Sequence, residues 1–249
     1  MKLARVRLDG RELWAKVDGE HVLELLGDRF GDCKPGRPLA KLAEVKLLAP
    51  IEPHNKILAL LGNFVPRGDR PGPGFFVKPP SAVVDPDEPI VRPSLAPAFN
   101  FEAELAVVIG RRARNVSRGA ALEHVLGYTI GNDVTSFPLK EIDGPLSTRW
   151  KTLDTFYPLG PWIVTGLDPS RLQLRARLNG ERKQDTPLSA MTFGVAETIE
   201  WVSRGITLEP GDVISMATPP GFCEMVNGDV VECEISEIGV LRNPVVARS

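Results

Sequence analysis

The chain has only three histidines and three cysteines in 249 residues, and each scarcity closes a route. His21, His54 and His124 leave few places for imidazole acid–base chemistry at neutral pH. Cys33, Cys223 and Cys233 are odd in number and lack the paired spacing of a zinc site, so they read as reduced structural thiols rather than a disulfide framework. Excess charge is missing as well. A formal net charge of -2, with 25% charged residues, gives no electrostatic ground for nucleic acid or an anionic membrane, and leaves a small molecule as the partner. No apolar run approaches the roughly 18 residues of a membrane span. Lys2, Arg5, Arg7, Asp9 and Glu12 interrupt the region where a signal peptide would need an apolar stretch, so the chain reads as cytoplasmic. Internal repeats, low-complexity segments and a regular strand–helix alternation are also absent, which excludes a doubly wound parallel sheet.

What is present is mostly β. Ala4, Arg5, Val6, Arg7 and Leu8 alternate apolar and charged side chains, and Asp9-Gly10 and Asp18-Gly19 are good hairpin pairs, so residues 1–52 are expected to form a small β-rich N-terminal domain. Pro50, Pro53 and His54 separate it from a larger domain over residues 53–249, which opens on a buried strand at 56–61. Further strands are expected at 101–109, 128–130, 162–165, 172–178, 212–216 and 230–235. Two helices are legible. Ser117 can cap one whose stripe is Ala121, Leu122, Val125 and Leu126, with Gly127 as its stop; Thr192 can cap another through Val195, Ile199 and Val202, ending at Gly205. Residues 62–74 hold four glycines and three prolines, which marks a loop able to cover a site.

The chemistry starts at residue 101. In Phe101-Glu102-Ala103-Glu104-Leu105-Ala106-Val107-Val108-Ile109, a period of two puts Glu102 and Glu104 on one face, continued by Ala106 and Val108. The other face is apolar throughout, so the strand is expected to be buried on both sides. Two adjacent buried carboxylates repel and are poorly solvated unless something positive compensates them. Asp133, in Gly131-Asn132-Asp133, offers a third carboxylate. Three carboxylates with no nearby histidine or cysteine suit a hard cation, Mg²⁺ or Mn²⁺.

These motifs, followed by Trp150-Lys151-Thr152-Leu153-Asp154 and preceded by Phe76-Val77-Lys78-Pro79, resemble the fumarylacetoacetate hydrolase family in order and spacing. The likeness continues through Leu178-Asn179-Gly180-Glu181, Gln184, Leu208-Glu209-Pro210-Gly211-Asp212 and Thr218-Pro219-Pro220-Gly221. It implies the family's mixed β-roll with a small N-terminal domain, assembled as a homodimer. It also implies Glu102, Glu104 and Asp133 as metal ligands, Lys151 as the active-site lysine, and Lys78, Gln184 and Thr218 around the substrate.

The departures matter as much. Members that hydrolyse carbon–carbon bonds carry Asn-Tyr-x-x-His and a following glutamate, a pair that activates water. Here the matching stretch is Asn63-Phe64-Val65-Pro66-Arg67, with Arg70 in the glutamate's place and Phe137 where many members have an arginine. A divalent cation can act as a Lewis acid toward the carboxylate and keto oxygens of a 2-oxo acid, stabilising an enolate that isomerisation, decarboxylation and hydrolysis share. Only hydrolysis must activate water. The resemblance therefore points to the branch that isomerises 2-hydroxyhepta-2,4-diene-1,7-dioate, or decarboxylates its precursor, in aromatic breakdown. Arg67 and Arg70 are candidates to grip a second carboxylate. The alternatives are an acylpyruvate hydrolase, an oxaloacetate decarboxylase, and an inactive metal-binding member.

Overall fold

The computed structural model describes residues 1–52, 54–144 and 148–247; Pro53, one of the separating residues named above, lies outside them. The N-terminal segment folds as β1 (Lys2–Leu8), β2 (Arg11–Asp18), β3 (His21–Gly27) and β4 (Cys33–Lys41), an antiparallel meander, followed by β5 (Lys46–Leu48). Asp9 and Gly10 both take positive φ, 48° and 77°, the backbone a tight two-residue hairpin requires. At the next hairpin Asp18 still belongs to β2, and Gly19 and Glu20 make the turn.

The rest of the chain supplies β6 (Ile57–Leu61), β7 (Gly74–Lys78), β8 (Val83–Val84), β9 (Ile90–Arg92), β10 (Ala103–Ile109), β11 (Val125–Asn132), β12 (Tyr157–Val164), β13 (Gln173–Leu178), β14 (Glu181–Pro187), β15 (Val213–Ser215), β16 (Val230–Ile235) and β17 (Gly239–Ala247). Two helices join them, α1 (Phe137–Asp143) and α2 (Val195–Ser203). The architecture is mostly β. Among the described residues one twelve-stranded sheet runs β4-β3-β2-β1-β12-β11-β10-β15-β6-β7, with β5 on β1 and β8 on β12, and a five-stranded sheet runs β14-β13-β16-β17-β9. The N-terminal meander is continuous with the large sheet, because β1 pairs with β12 through Lys2 opposite Val164 and Leu3 opposite Ile163.

All seven residues of β10 are buried, and its two faces serve different cores. Leu105, Val107 and Ile109 pack with Leu174, Ala176, Val231 and Ile235 of the small sheet. Ala106 and Val108 pack with Leu3, Ile57, Tyr157, Ile163 and Val213. A strand wedged between two apolar layers cannot leave its glutamates in water, and that decides the character of the site.

Three features differ from the sequence expectation. The segment after Ser117 is not an α-helix: it makes a short 3₁₀ turn over Ala121–His124, and Val125 already belongs to β11. Pairing with β10 overrides the apolar stripe, and Gly127 sits within a strand where a Cβ would come 2.4 Å from the Val164 carbonyl oxygen. The second helix starts after Gly194 rather than Thr192, whose hydroxyl donates instead to the Val65 carbonyl. Helix α1 has no counterpart in the sequence reading.

Candidate active site

Strand register assembles the site. β10 and β11 pair with Glu104 opposite Gly131 and Ala103 opposite Asn132, so Asp133, just past β11, comes back beside Glu102 and donates its N–H to the Glu102 carbonyl at 2.8 Å. Gly131 is needed here, because a Cβ would stand 2.7 Å from the Tyr157 hydroxyl packed beneath it. On the other side of β10, β15 delivers Ser215, whose hydroxyl donates to Glu104 Oε2. The same oxygen accepts the Ala217 N–H at 3.1 Å. Ala217 holds φ 65°, an uncommon conformation for a residue with a Cβ and one found where surrounding structure fixes a functional backbone.

The carboxylate oxygens of Glu102, Glu104 and Asp133 lie within 4.8 Å of one another, and all three residues are buried. Two lysines answer them. Lys151 donates to Glu102 Oε2 at 2.8 Å and to Asp133 Oδ2 at 2.5 Å. Lys78, fully buried at the end of β7, donates to Asp133 Oδ1 and to the Lys151 carbonyl. Thr135 adds a hydroxyl bond to Glu102 Oε1 at 2.9 Å.

Electrostatics separate the three acids. Burial pushes the Glu104 carboxyl well above the ordinary carboxylate range, and the charges of Asp133 and Glu102 push the same way. Burial also raises Glu102, against the pull of Lys151. Burial would raise Asp133 too, yet Lys151 and Lys78 together hold it below its ordinary value. Burial works to lower Lys151, but Asp133, Glu102 and Glu104 outweigh it and keep the ammonium charged. Lys78 is less favoured: burial brings it below the ordinary lysine value, with Asp133 opposing and Lys151 reinforcing.

With all three carboxylates ionised against two ammonium groups, one negative charge is left in a buried pocket; without a cation, burial favours a proton on Glu104 instead. Glu104 Oε1 is buried with no hydrogen-bond partner among the described residues, an orphan acceptor of the kind that native interiors rarely leave. An all-oxygen donor set, an orphan carboxylate oxygen and a net negative charge fit a hard divalent cation. Glu102, Glu104 and Asp133 are the residues that would hold it.

A cavity of about 270 Å³ opens above this cluster. Glu102 and Lys151 reach it from below, Leu60, Phe64, Trp150 and Phe222 line its walls, and Thr218 stands beside them. Gln184, from β14 of the small sheet, donates to Thr218 Oγ1 at 2.9 Å and to the Pro219 carbonyl at 2.6 Å. The threonine hydroxyl thus accepts from Gln184, and its own proton makes only a long 3.4 Å contact with the Pro219 carbonyl, from which it can turn to a ligand.

The structure therefore brings Glu102, Glu104, Asp133, Lys151 and Lys78 into one cluster, with Thr218 and Gln184 at its edge. Lys78 meets Asp133 and the Lys151 backbone rather than the cavity. Arg67 and Arg70 are not among the lining residues. Arg70 donates to the carbonyls of Gly62, Val65, Pro66 and Arg67, and Arg67 to those of Arg70 and Pro71 and to Glu197. Both guanidiniums also stack on Phe193. Asn63 fastens the same loop by bonds to Phe193 and the Met216 carbonyl. Residues that the sequence reading missed include Ser215, Thr135, Trp150 and Lys140; Thr135 stands two positions past Asp133, a local signal that was there to use.

A buried oxygen-donor cluster that could hold a divalent metal ion, with an attendant lysine, lies at the foot of an aromatic cavity. Residues 52–246 match the family fumarylacetoacetate (FAA) hydrolase, C-terminal, and residues 1–50 match a separate one, Rv2993c-like, N-terminal. The chain belongs to the fumarylacetoacetate hydrolase family. It is similar to the solved structure of a 2-hydroxyhepta-2,4-diene-1,7-dioate isomerase from Mycobacterium marinum, 40% identical with a TM-score of 0.93 over 100% of this chain and 99% of that one. Oxaloacetate tautomerase fahd2, mitochondrial, from Xenopus laevis is 38% identical over 82% of this chain and 69% of its own length. A maleylpyruvate hydrolase from Sphingobium sp. SYK-6, solved with manganese(II) and pyruvate, is 27% identical with a TM-score of 0.84 over the whole of both chains.

Proposed function

We propose that this protein is a divalent-metal-dependent isomerase of a dicarboxylic 2-oxo or 2-hydroxydienoic acid such as 2-hydroxyhepta-2,4-diene-1,7-dioate, with decarboxylation as a companion activity. One observation carries the reading: a carboxylate cluster able to hold a cation, with a charged lysine, lies beneath a cavity that has no histidine among its described lining residues. The cation, Mg²⁺ or Mn²⁺, supplies Lewis-acid polarisation of the substrate's carboxylate and 2-oxo oxygens. Lys151 places a fixed positive charge at the cavity floor, where an enolate oxygen gains negative charge as a neighbouring carbon loses its proton. Thr218, oriented by Gln184, donates to the substrate carboxylate. The aromatic walls exclude water and accept a flat conjugated chain.

Isomerisation moves a proton from one substrate carbon to another atom and leaves every carbon–carbon bond intact. Hydrolysis needs in addition a base aimed at water, which the histidine of the hydrolytic pattern supplies and Pro66-Arg67 does not. The likeness to oxaloacetate tautomerases favours a second reading, enol–keto exchange of oxaloacetate, which uses the same proton-transfer chemistry on a shorter diacid. NMR product assays with Mg²⁺ or chelator, on the dienoate, on oxaloacetate and on an acylpyruvate, test both. Metal-dependent isomerisation or enol exchange without carbon–carbon cleavage is the expected result; rapid acylpyruvate cleavage overturns it.

A further inference from the structure

At the mouth of the same cavity stands a second cation. Lys140, the fourth residue of α1, is exposed and lines the cavity together with Phe137 one turn earlier. Its neighbour Asp143 is held by two bonds from Arg149, and among the described residues no carboxylate pairs with the Lys140 ammonium. Instead the ammonium rests over Trp150, 4.9 Å from the ring centre. Lys151 lies 5.3 Å from the centre of that same ring, so the two Nζ atoms are at most about 10 Å apart, each in cation–π range of one indole.

Trp150 thus spaces two positive charges, one at the buried floor and one at the wet entrance. The wall between them is apolar, since Phe137 stacks on Trp150 at 6.5 Å and on Phe222 at 5.7 Å. An apolar wall with a cation at each end is complementary to a carbon chain with an anion at each end. A dicarboxylic acid of about five to seven carbons spans roughly 5 to 8 Å between its carboxyl carbons when extended, and it meets both ammonium groups within that limit when each carboxylate lies beside, rather than beyond, its lysine. Among the lining residues Lys151 and Lys140 are the two cations, whereas the guanidiniums of Arg67 and Arg70 are occupied by their own loop.

We propose that Lys140 binds the distal carboxylate of the substrate and sets a preference for dicarboxylic over monocarboxylic 2-oxo acids; this rests on the assignment of the other end of the substrate to the carboxylate–lysine floor. The test is calorimetric titration of the Mg²⁺-loaded protein with 2-oxohexanedioate and with 2-oxohexanoate, which differ only in the distal group. The wild type binds the dioate at least tenfold more tightly. Lys140→Met, which keeps an apolar stem on Trp150, lowers dioate affinity about tenfold and moves the monoacid less than threefold, and Lys140→Arg restores most of the preference. Equal or undetectable binding of the two acids by the wild type, or a preference that survives in Lys140→Met, overturns the proposal. A preference that tracks Lys140 in a protein without metal-dependent turnover of the dienoate or oxaloacetate supports the Lys140 assignment and sinks the proposed reaction instead.

Discussion

The cavity floor and the loop over residues 62–73 both carry charge, and they use it in opposite ways. On the floor, five ionic side chains are buried; Lys78, Asp133, Lys151 and Glu102 are linked by ion pairs, while Glu104 is held by Ser215 and Ala217 with one oxygen left over. In the loop, Arg67 is exposed and Arg70 partly so, and both bind backbone carbonyls of the turn they belong to. Buried charges that only partly cancel are costly to fold, and they persist where a ligand completes them. Partly exposed arginines gripping their own loop hold a shape and leave little for a ligand. Charge type alone does not separate these roles; burial and partner identity do.

Replacing Glu104 with Ala breaks the comparison at its most sensitive point. Turnover is expected to fall at least about a thousandfold, because the residue offering the orphan oxygen is lost, while circular dichroism stays native since the carboxyl bonds only to Ser215 and the Ala217 N–H. Metal-dependent turnover retained in this variant refutes the ligand assignment. Next in size is the pH response of metal binding. The Glu104 carboxyl is raised by burial, so below its folded value the cation must displace a proton, and Mg²⁺ affinity is expected to weaken by up to about tenfold per pH unit on acidification. The sign for the metal-free fold is the reverse of the usual carboxylate case: in the window above the ordinary glutamate value, the fold keeps a proton that the unfolded chain releases, so this group's contribution to stability declines as pH rises. Thermal melts with and without Mg²⁺ should therefore diverge with increasing pH, and parallel curves would show that Glu104 does not meet the cation. The smallest effect belongs to the loop. Arg67→Ala with Arg70→Ala is expected to cost about 1 kcal/mol of stability and to raise KM equally, within about threefold, for dicarboxylic and monocarboxylic substrates. A rise confined to the dicarboxylic substrate would return the distal grip to these arginines.

Much of the floor was legible in the sequence because β10 is buried on both faces. Continuous apolar residues around Glu-x-Glu made solvent an implausible home for the glutamates, and period two put them side by side. The order of motifs supplied Asp133, Lys151 and Thr218, which the folded chain does gather near Glu102. The segment after Ser117 was misread because four apolar positions at helical spacing also fit a turn leading into a strand, and only the pairing of Ile109 with Val125 chooses between them. Lys140 was hidden for two reasons. Its helix is seven residues long with Pro138 near its start, too short for a periodic signal, and its role depends on Trp150 beyond the helix and on Phe222 from a distant segment. The arginine loop announced its charge but not the carbonyls that take it up.

The bond between β1 and β12 has a consequence for any attempt to trim the chain. Without residues 1–52, the outer margin of β12 around Ile163 and Val164 would present unpaired N–H and C=O groups beside apolar side chains, an open template for a strand from another molecule. The first fifty residues then act as a guard against self-association. A shortened chain should scatter light and sediment as aggregates even when its carboxylate cluster is chemically intact.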